Sequence, residues 1–172
     1  MLSILSLLFA ALAAVLYYYG FLLLFIPAII LSAALDAIDG EVARHRGLAS
    51  RKGDLLDHFI DRYADILIIL GVGLSNYGNV LLAGLAVEGV LMTSYMGTQA
   101  QALGAGRDYK GVLGRANRLV ILILLAPVQF LVPYSLYYYG LTINATTSVL
   151  GLFFILGNAT AISRFIRLYR KI

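Results

Sequence analysis

The chain has 172 residues, of which 61% are hydrophobic and only 13% charged, and its mean hydropathy is +0.88. Ordinary soluble domains are about 45–50% apolar with glycine counted and about 25% charged. This composition therefore excludes a water-soluble enzyme or a nucleic-acid-binding module and indicates an integral membrane protein. The absence of cysteine excludes disulfides, thiolate catalysis and Cys-type zinc sites, and His45 and His58 are too few for a His-rich metal or haem site.

Six apolar stretches approach the ~20 residues that cross a bilayer as a helix. They lie at 2–19, 21–38, 55–74, 80–102, 119–138 and 141–162. The expected fold is thus all-α, a single domain over 1–172 with six transmembrane helices. The first stretch has no basic flank and runs straight into the second, so it reads as a retained helix rather than a signal peptide. The second and fifth contain Pro27 and Pro127 in mid-span, where proline kinks a helix. The fourth holds one acid, Glu88, which reads as a satisfied polar contact or a dimer feature.

The net charge of +4 comes from 13 basic and 9 acidic residues, and the basic ones fall into three groups. Arg44, Arg46, Arg51, Lys52 and Arg62 follow the second stretch or begin the third. Arg107, Lys110, Arg115 and Arg118 separate the fourth from the fifth, and Arg164, Arg167, Arg170 and Lys171 end the chain. With six spans all three groups share one face, which the positive-inside rule makes cytoplasmic, together with both termini. The opposite turns are uncharged and carry Tyr17, Tyr18, Tyr19, Tyr77, Tyr134, Tyr137, Tyr138 and Tyr139, the pattern of an interfacial aromatic belt.

Seven of the nine acids lie between 36 and 65: Asp36, Asp39, Glu41, Asp54, Asp57, Asp61 and Asp65. Asp36 and Asp39 share one face of the second helix, and Asp57, Asp61 and Asp65 share one face of the third. A carboxylate near the bilayer centre costs at least ~2.5–3.5 kcal/mol, so such acids need partners or a water-filled cavity. A belt of surface ion pairs with Arg44, Arg51, Lys52 and Arg62 would explain any single acid. It does not explain four acids at i,i+3 and i,i+4 spacing, two of them set into an apolar span. Oxygen ligands alone favour hard ions, Mg²⁺ or Mn²⁺, and two such ions could clamp a pyrophosphate. Gly40 and Gly53 would let a ligand approach the backbone, and Arg44 could hold a phosphate.

The run Asp36-x-x-Asp39-Gly40-x-x-Ala43-Arg44, eight residues, Gly53, three residues, Asp57, three residues, Asp61 is similar to the signature of the CDP-alcohol phosphotransferase family. The resemblance implies a two-metal membrane enzyme, a homodimer in the cell membrane with its site facing the cytoplasm. Such an enzyme moves a phosphoryl-alcohol group from a CDP-linked donor to an acceptor hydroxyl and releases CMP. Carried over by position, Asp36, Asp39, Asp57 and Asp61 would ligate metal, and Asp61 would also be the general base. Asp36, Asp39, Gly40, Ala43, Arg44, Gly53 and Asp57 would bind the CDP moiety. Family members usually carry an amphipathic segment before the first span, so such a segment or an upstream domain is expected ahead of residue 1.

Downstream, Asp57-His-Phe-Ile-Asp-Arg-Tyr-Ala-Asp65, Thr93-Ser-Tyr95 and Gly114-Arg-Ala-Asn-Arg118 are most similar to the inositol-phosphate-using branch. This implies a CDP-archaeol or CDP-diacylglycerol donor and an inositol phosphate acceptor, with Arg115, Arg118 and Arg164 as acceptor-phosphate ligands. A di-inositol-phosphate-phosphate synthase using CDP-inositol and a glycerol phosphate acceptor are alternatives. So, from other classes, are an intramembrane prenyltransferase and a divalent-cation channel. The prenyltransferase lacks a second Asp-rich motif, and the channel lacks a polar exit on the uncharged face.

Overall fold

Each apolar stretch forms an α-helix, with boundaries that move where capping or proline overrides hydropathy. The computed structural model describes residues 2–45, 50–106, 108, 110–138 and 141–172, and the side chains at 43–45 and 141 fall outside that description. The elements are α1 (Leu2–Tyr18), α2 (Leu22–His45), α3 (Arg51–Gly73), α4 (Val80–Ala102), α5 (Arg115–Leu131), β1 (Leu136–Tyr138), β2 (Leu141–Ile143) and α6 (Ala145–Tyr169). α2 runs seven residues past the expected end at 38, so the acidic segment stays helical. α3 begins early because the Ser50 side chain caps it by accepting the Gly53 N–H.

The fifth helix stops at Leu131 rather than at 138. Pro133 has no N–H to donate and disfavours a helical Val132 before it, whose φ of −122° and ψ of 73° are non-helical. The aromatic residues beyond it pair instead, Leu136 opposite Ile143 and Tyr137 opposite Thr142, so a small antiparallel ladder interrupts the all-helical expectation. α6 then starts at Ala145, where Asn144 and Thr147 form a reciprocal capping box.

α4 lies along α6, α1 packs on both α2 and α3, and α5 joins α2 to α6. These crossings are close because small residues sit at them, as is usual between membrane helices. A Cβ on Gly71 would stand 2.5 Å from the Ala14 carbonyl oxygen of α1, and one on Gly157 of α6 would stand 2.6 Å from Gly89 of α4. Between the helices lie Phe25, Ile29, Ile69, Val72, Leu150 and Phe153, all fully buried. Tyr17 belongs to this core and not to the aromatic belt. Its hydroxyl pairs with Thr146 Oγ1 at 2.7 Å, and Gln129 Oε1 accepts from the same threonine's hydroxyl. Tyr18, Tyr19, Tyr134, Tyr137 and Tyr138 remain exposed at this end.

Large apolar side chains cover the outside: Leu8, Leu24, Leu81, Leu131 and Ile155 are all more than half exposed. Helical segments Leu22–Val42, Val80–Ala102 and Ala145–Tyr169 are long and apolar enough to cross a membrane, whereas α1 is apolar but has only 17 residues. The molecule is a helical membrane protein, and among the described residues the charged ones other than Glu88 gather toward one end.

Candidate active site

Helical spacing puts Asp36 and Asp39 within the last three turns of α2, and Asp57, Asp61 and Asp65 on successive turns of α3. The N-terminus of α5 packs against α2, and its arginine side chains reach across to α3 as cations. Arg115 Nη1 donates to Asp36 Oδ2 at 2.8 Å and also to Asp61 Oδ1. One turn on, Arg118 Nη2 donates to Asp65 Oδ2 at 2.6 Å while its Nη1 donates to the Leu113 carbonyl at 3.1 Å. Arg62 stands 3.6 Å from Asp61 and 3.7 Å from Asp65. From α6, buried Arg164 donates to the Thr93 carbonyl at 2.6 Å and to the Lys110 carbonyl at 3.0 Å.

These groups line a cavity of about 220 Å³ formed by Asp61, Arg62, Thr93, Ser94, Gly97, Asp108, Gly114, Arg115, Arg118 and Arg164. All three sequence-predicted acceptor arginines, 115, 118 and 164, therefore meet at one cavity. Gly97 keeps the α4 wall open, since a Cβ there would stand 3.1 Å from Arg164 Nη1. Arg62, Arg115 and Arg118 each hold a buried Nε–H without an acceptor among the described residues. Unpaired buried donors are costly, and three around one cavity fit an anionic ligand. Asp108, on the loop before α5, closes the rim. Partial burial opposes ionisation of its carboxyl, but the Lys110 backbone N–H at 2.9 Å and Arg167 at 2.9 Å outweigh this and hold its pKa below the ordinary value.

The expected metal ligands are divided among three arrangements. Asp57 and Asp61 come together with His58, each offering a ligand atom, all within 4.8 Å of one another. Asp36 and Asp61 share Arg115, and Asp39 accepts a hydrogen bond from Ser3 of α1. Asp36 Oδ1 is buried without a partner among the described residues. An orphaned carboxylate oxygen beside an Asp/His/Asp group is a donor set that suits a hard divalent cation. Gly40 lies half-buried on α2, and Gly53 is exposed at the start of α3. The side chains of Ala43 and Arg44, expected beside the nucleotide, lie outside the described residues.

His58, Arg62 and Asp108 join the site without having been assigned a role in it, whereas Thr93 and Ser94 belong to a stretch already marked as similar to the inositol-phosphate-using branch. For His58 and Arg62 the signal was available, since each neighbours a motif aspartate and lies on the same two turns of α3. For Asp108, in the loop before α5, the sequence gives none.

The family model described as CDP-alcohol phosphatidyltransferase matches residues 1–159. The archaetidylinositol phosphate synthase of Methanothermobacter thermautotrophicus is 35% identical over 92 residues, covering 54% of this chain and 47% of that protein. The bifunctional IPC transferase and DIPP synthase of Rubrobacter xylanophilus is 37% identical over 122 residues, covering 63% of this chain and 28% of that protein. The chain thus spans about half or less of the length of the curated relatives it matches. Among solved structures, phosphatidylinositol phosphate synthase of Mycobacterium tuberculosis shares the fold at TM-score 0.80 and 22% identity. This holds for its complex with CDP-DAG and for that with manganese and citrate, with 98% of this chain and 84% and 80% of those chains covered.

Proposed function

The chain belongs to the CDP-alcohol phosphatidyltransferase family, and from that premise we propose that it transfers a phosphoryl-alcohol group from a CDP-linked lipid to the hydroxyl of a phosphorylated polyol, releasing CMP. The observation that carries this reading is the cavity where Asp61 stands among Arg62, Arg115, Arg118 and Arg164. A carboxylate at the edge of a four-arginine pocket suits an acceptor that must lose a proton while its phosphate is held. Inositol phosphate fits that chemistry, as do the names of the archaetidylinositol phosphate and phosphatidylinositol phosphate synthases among the relatives. The Rubrobacter relative supports a second reading, a CDP-inositol donor used to make a di-inositol product.

In the proposed reaction the acceptor oxygen attacks the phosphorus that carries the alcohol. The bond from that phosphorus to the bridging pyrophosphate oxygen breaks, and CMP leaves with the electron pair. Asp61 takes the acceptor proton as general base. Asp36, Asp39, Asp57 and Asp61 would hold Mg²⁺ or Mn²⁺, two ions in all, which when bound supply charge neutralisation for the leaving CMP. Gly40, Ala43, Arg44 and Gly53 would line the nucleotide, while Arg115, Arg118 and Arg164 orient the acceptor phosphate. The manganese complex of the Mycobacterium structure supports the choice of ion.

The same proposal places the residues of 1–172 in one domain crossing the cell membrane six times, with both termini and the site on the cytoplasmic side, as a homodimer. The clustering of Asp36, Asp61, Arg115 and Arg164 at one end of the bundle supports this orientation. The test is CMP release by purified Asp61→Asn with CDP-diacylglycerol and CDP-archaeol as donors and inositol phosphate or glycerol phosphate as acceptor. Loss of release on the order of 10²-fold or more, with CDP binding partly retained, is expected. Unchanged release would sink the assignment.

A further inference from the structure

The proposed metal ligands Asp36 and Asp61 sit on different helices, yet one atom, Arg115 Nη1, donates to both. That guanidinium also lines the arginine cavity and keeps a buried Nε–H without an acceptor among the described residues. We infer that Arg115 is a positioning residue which exchanges partners. It neutralises Asp36 and Asp61 until a divalent cation takes those oxygens, and it then turns its donors to the anion in the cavity. This rests on the proposed metal-dependent transfer and adds an order of events to it.

Competition for the same oxygens drives the exchange. A carboxylate oxygen engaged by a guanidinium has one lone pair fewer for a metal ion, and guanidinium and cation repel each other at this separation. The other charged groups facing the pair do not duplicate the arrangement. Arg62 lies 3.6 Å from Asp61 Oδ2, beyond hydrogen-bonding range, and Arg118 is held by Asp65 and by the Leu113 carbonyl. Arg115 alone bridges the two helices, among the described residues. Its release has a ready destination, because the cavity it lines already presents donors from Arg62, Arg118 and Arg164. Cation and anion should therefore bind with positive coupling, since each takes one side of the same guanidinium.

The experiment is Mn²⁺ binding to the full-length protein in detergent, read from the loss of the free aqueous Mn²⁺ signal by electron paramagnetic resonance. The wild type is compared with Arg115→Gln, Arg115→Lys, Arg118→Gln and Asp61→Asn. Coupled sites in proteins commonly differ by roughly 5- to 150-fold in affinity. Arg115→Gln should thus bind Mn²⁺ at least about fivefold more tightly than wild type. Arg118→Gln removes the same charge from the same cavity but leaves Asp36 and Asp61 paired, and should fall well short of that gain. Sulfate should tighten Mn²⁺ binding in the wild type and not in Arg115→Gln. If Arg115→Gln does not fold, Arg115→Lys carries the comparison: lysine is one atom shorter than arginine out to Nη1, so its ammonium falls short of the bridging position, and a tighter affinity is again expected. Equal or weaker Mn²⁺ binding in the Arg115 variant, or an equal gain in Arg118→Gln, overturns the inference. Asp61→Asn separates the two levels: if it binds Mn²⁺ like wild type, the metal assignment fails. If it loses Mn²⁺ while Arg115→Gln gains nothing, only the exchange fails.

Discussion

Replacing Arg118 with methionine isolates what holds the arginine cavity together. Arg118 is 2% exposed and Asp65 is 7% exposed, and their 2.6 Å bond lies between α5 and α3. Breaking a buried ion pair by removing one partner costs about 3–5 kcal/mol, because the other charge stays buried and unpaired. After Arg118→Met, Asp65 retains Arg62 at 3.7 Å, which partly compensates, so a loss of about 3 kcal/mol is expected. Asp65→Leu strands Arg118, whose Nε–H already lacks an acceptor, and should fall near the upper end, about 5 kcal/mol. The double variant removes both charges together and should recover to within about 1–2 kcal/mol of wild type, as buried pairs replaced by apolar residues often do. Thermal unfolding in detergent, followed by far-UV circular dichroism, measures all three. At about 2–4 °C per kcal/mol for a chain of this length, Arg118→Met should melt roughly 6–12 °C below wild type. A melting point unchanged in Arg118→Met, or a double variant as unstable as the sum of the singles, would refute the reasoning. If the double variant folds, its CMP release should still need more acceptor, because the cavity has lost one of its arginines.

Two other predictions concern the walls and the rim of the cavity. Gly157→Ala forces a Cβ to within 2.6–2.9 Å of the Gly89 backbone, which cannot rotate away, whereas Gly89→Ala meets its neighbours only at 3.1–3.2 Å. The first should cost about 1–3 kcal/mol and lower acceptor affinity, since it parts Thr93 from the Gly157 carbonyl and moves α4 from Arg164; the second should cost clearly less, and melts that rank the two in reverse order would count against the crossing described. For Asp108 the folded carboxyl titrates below its ordinary value of 3.8, so its ionised form stabilises the fold. That contribution is fully present above the ordinary value and is lost as pH falls through the lower folded one. Asp108→Asn should therefore melt below wild type at neutral pH, and the gap should shrink only below about pH 4; a gap that is constant down to pH 3 would show that charge is not its source.

Most of the site was legible because its acids repeat at helical spacing. Asp57, Asp61 and Asp65 must share one face of any α-helix, and Asp36 with Asp39 likewise, whatever the helices then pack against. The pairing of those acids with Arg115 and Arg118 was not legible in the same way. It joins residues 79, 54 and 53 positions apart, and depends on where the start of α5 comes to rest. The sequence expectation gave Arg115 and Arg118 to the acceptor alone, and their second tie, to the acids, emerges only from packing. Hydropathy erred where it does not see backbone chemistry. It carried the fifth span through Pro133 and began the sixth at Leu141, whereas a missing N–H and the Asn144 cap set those ends. Tyr17 was misplaced because a tyrosine near an apparent helix end reads as interfacial, and only Thr146 and Gln129 opposite it make burial tolerable.

The charge balance of the site constrains how ligands load. Asp36, Asp61 and Asp65 are tied to Arg62, Arg115 and Arg118, three against three, and the proposed ligands Asp39 and Asp57 add two further acids on the same helices. Acids already paired with arginines gain little from a lone cation or a lone anion, because either one frees an opposite charge in a poorly hydrated place. Divalent cations and an anionic acceptor arriving together restore the balance, with acids turning to the cations and arginines to the phosphate. On the proposed function this explains why the arginines are tied to the acids at all. A site whose arginines pointed freely into the cavity would hold its anion without cations and could not activate it, whereas the paired arrangement withholds tight acceptor binding until the ions that the transfer needs are present.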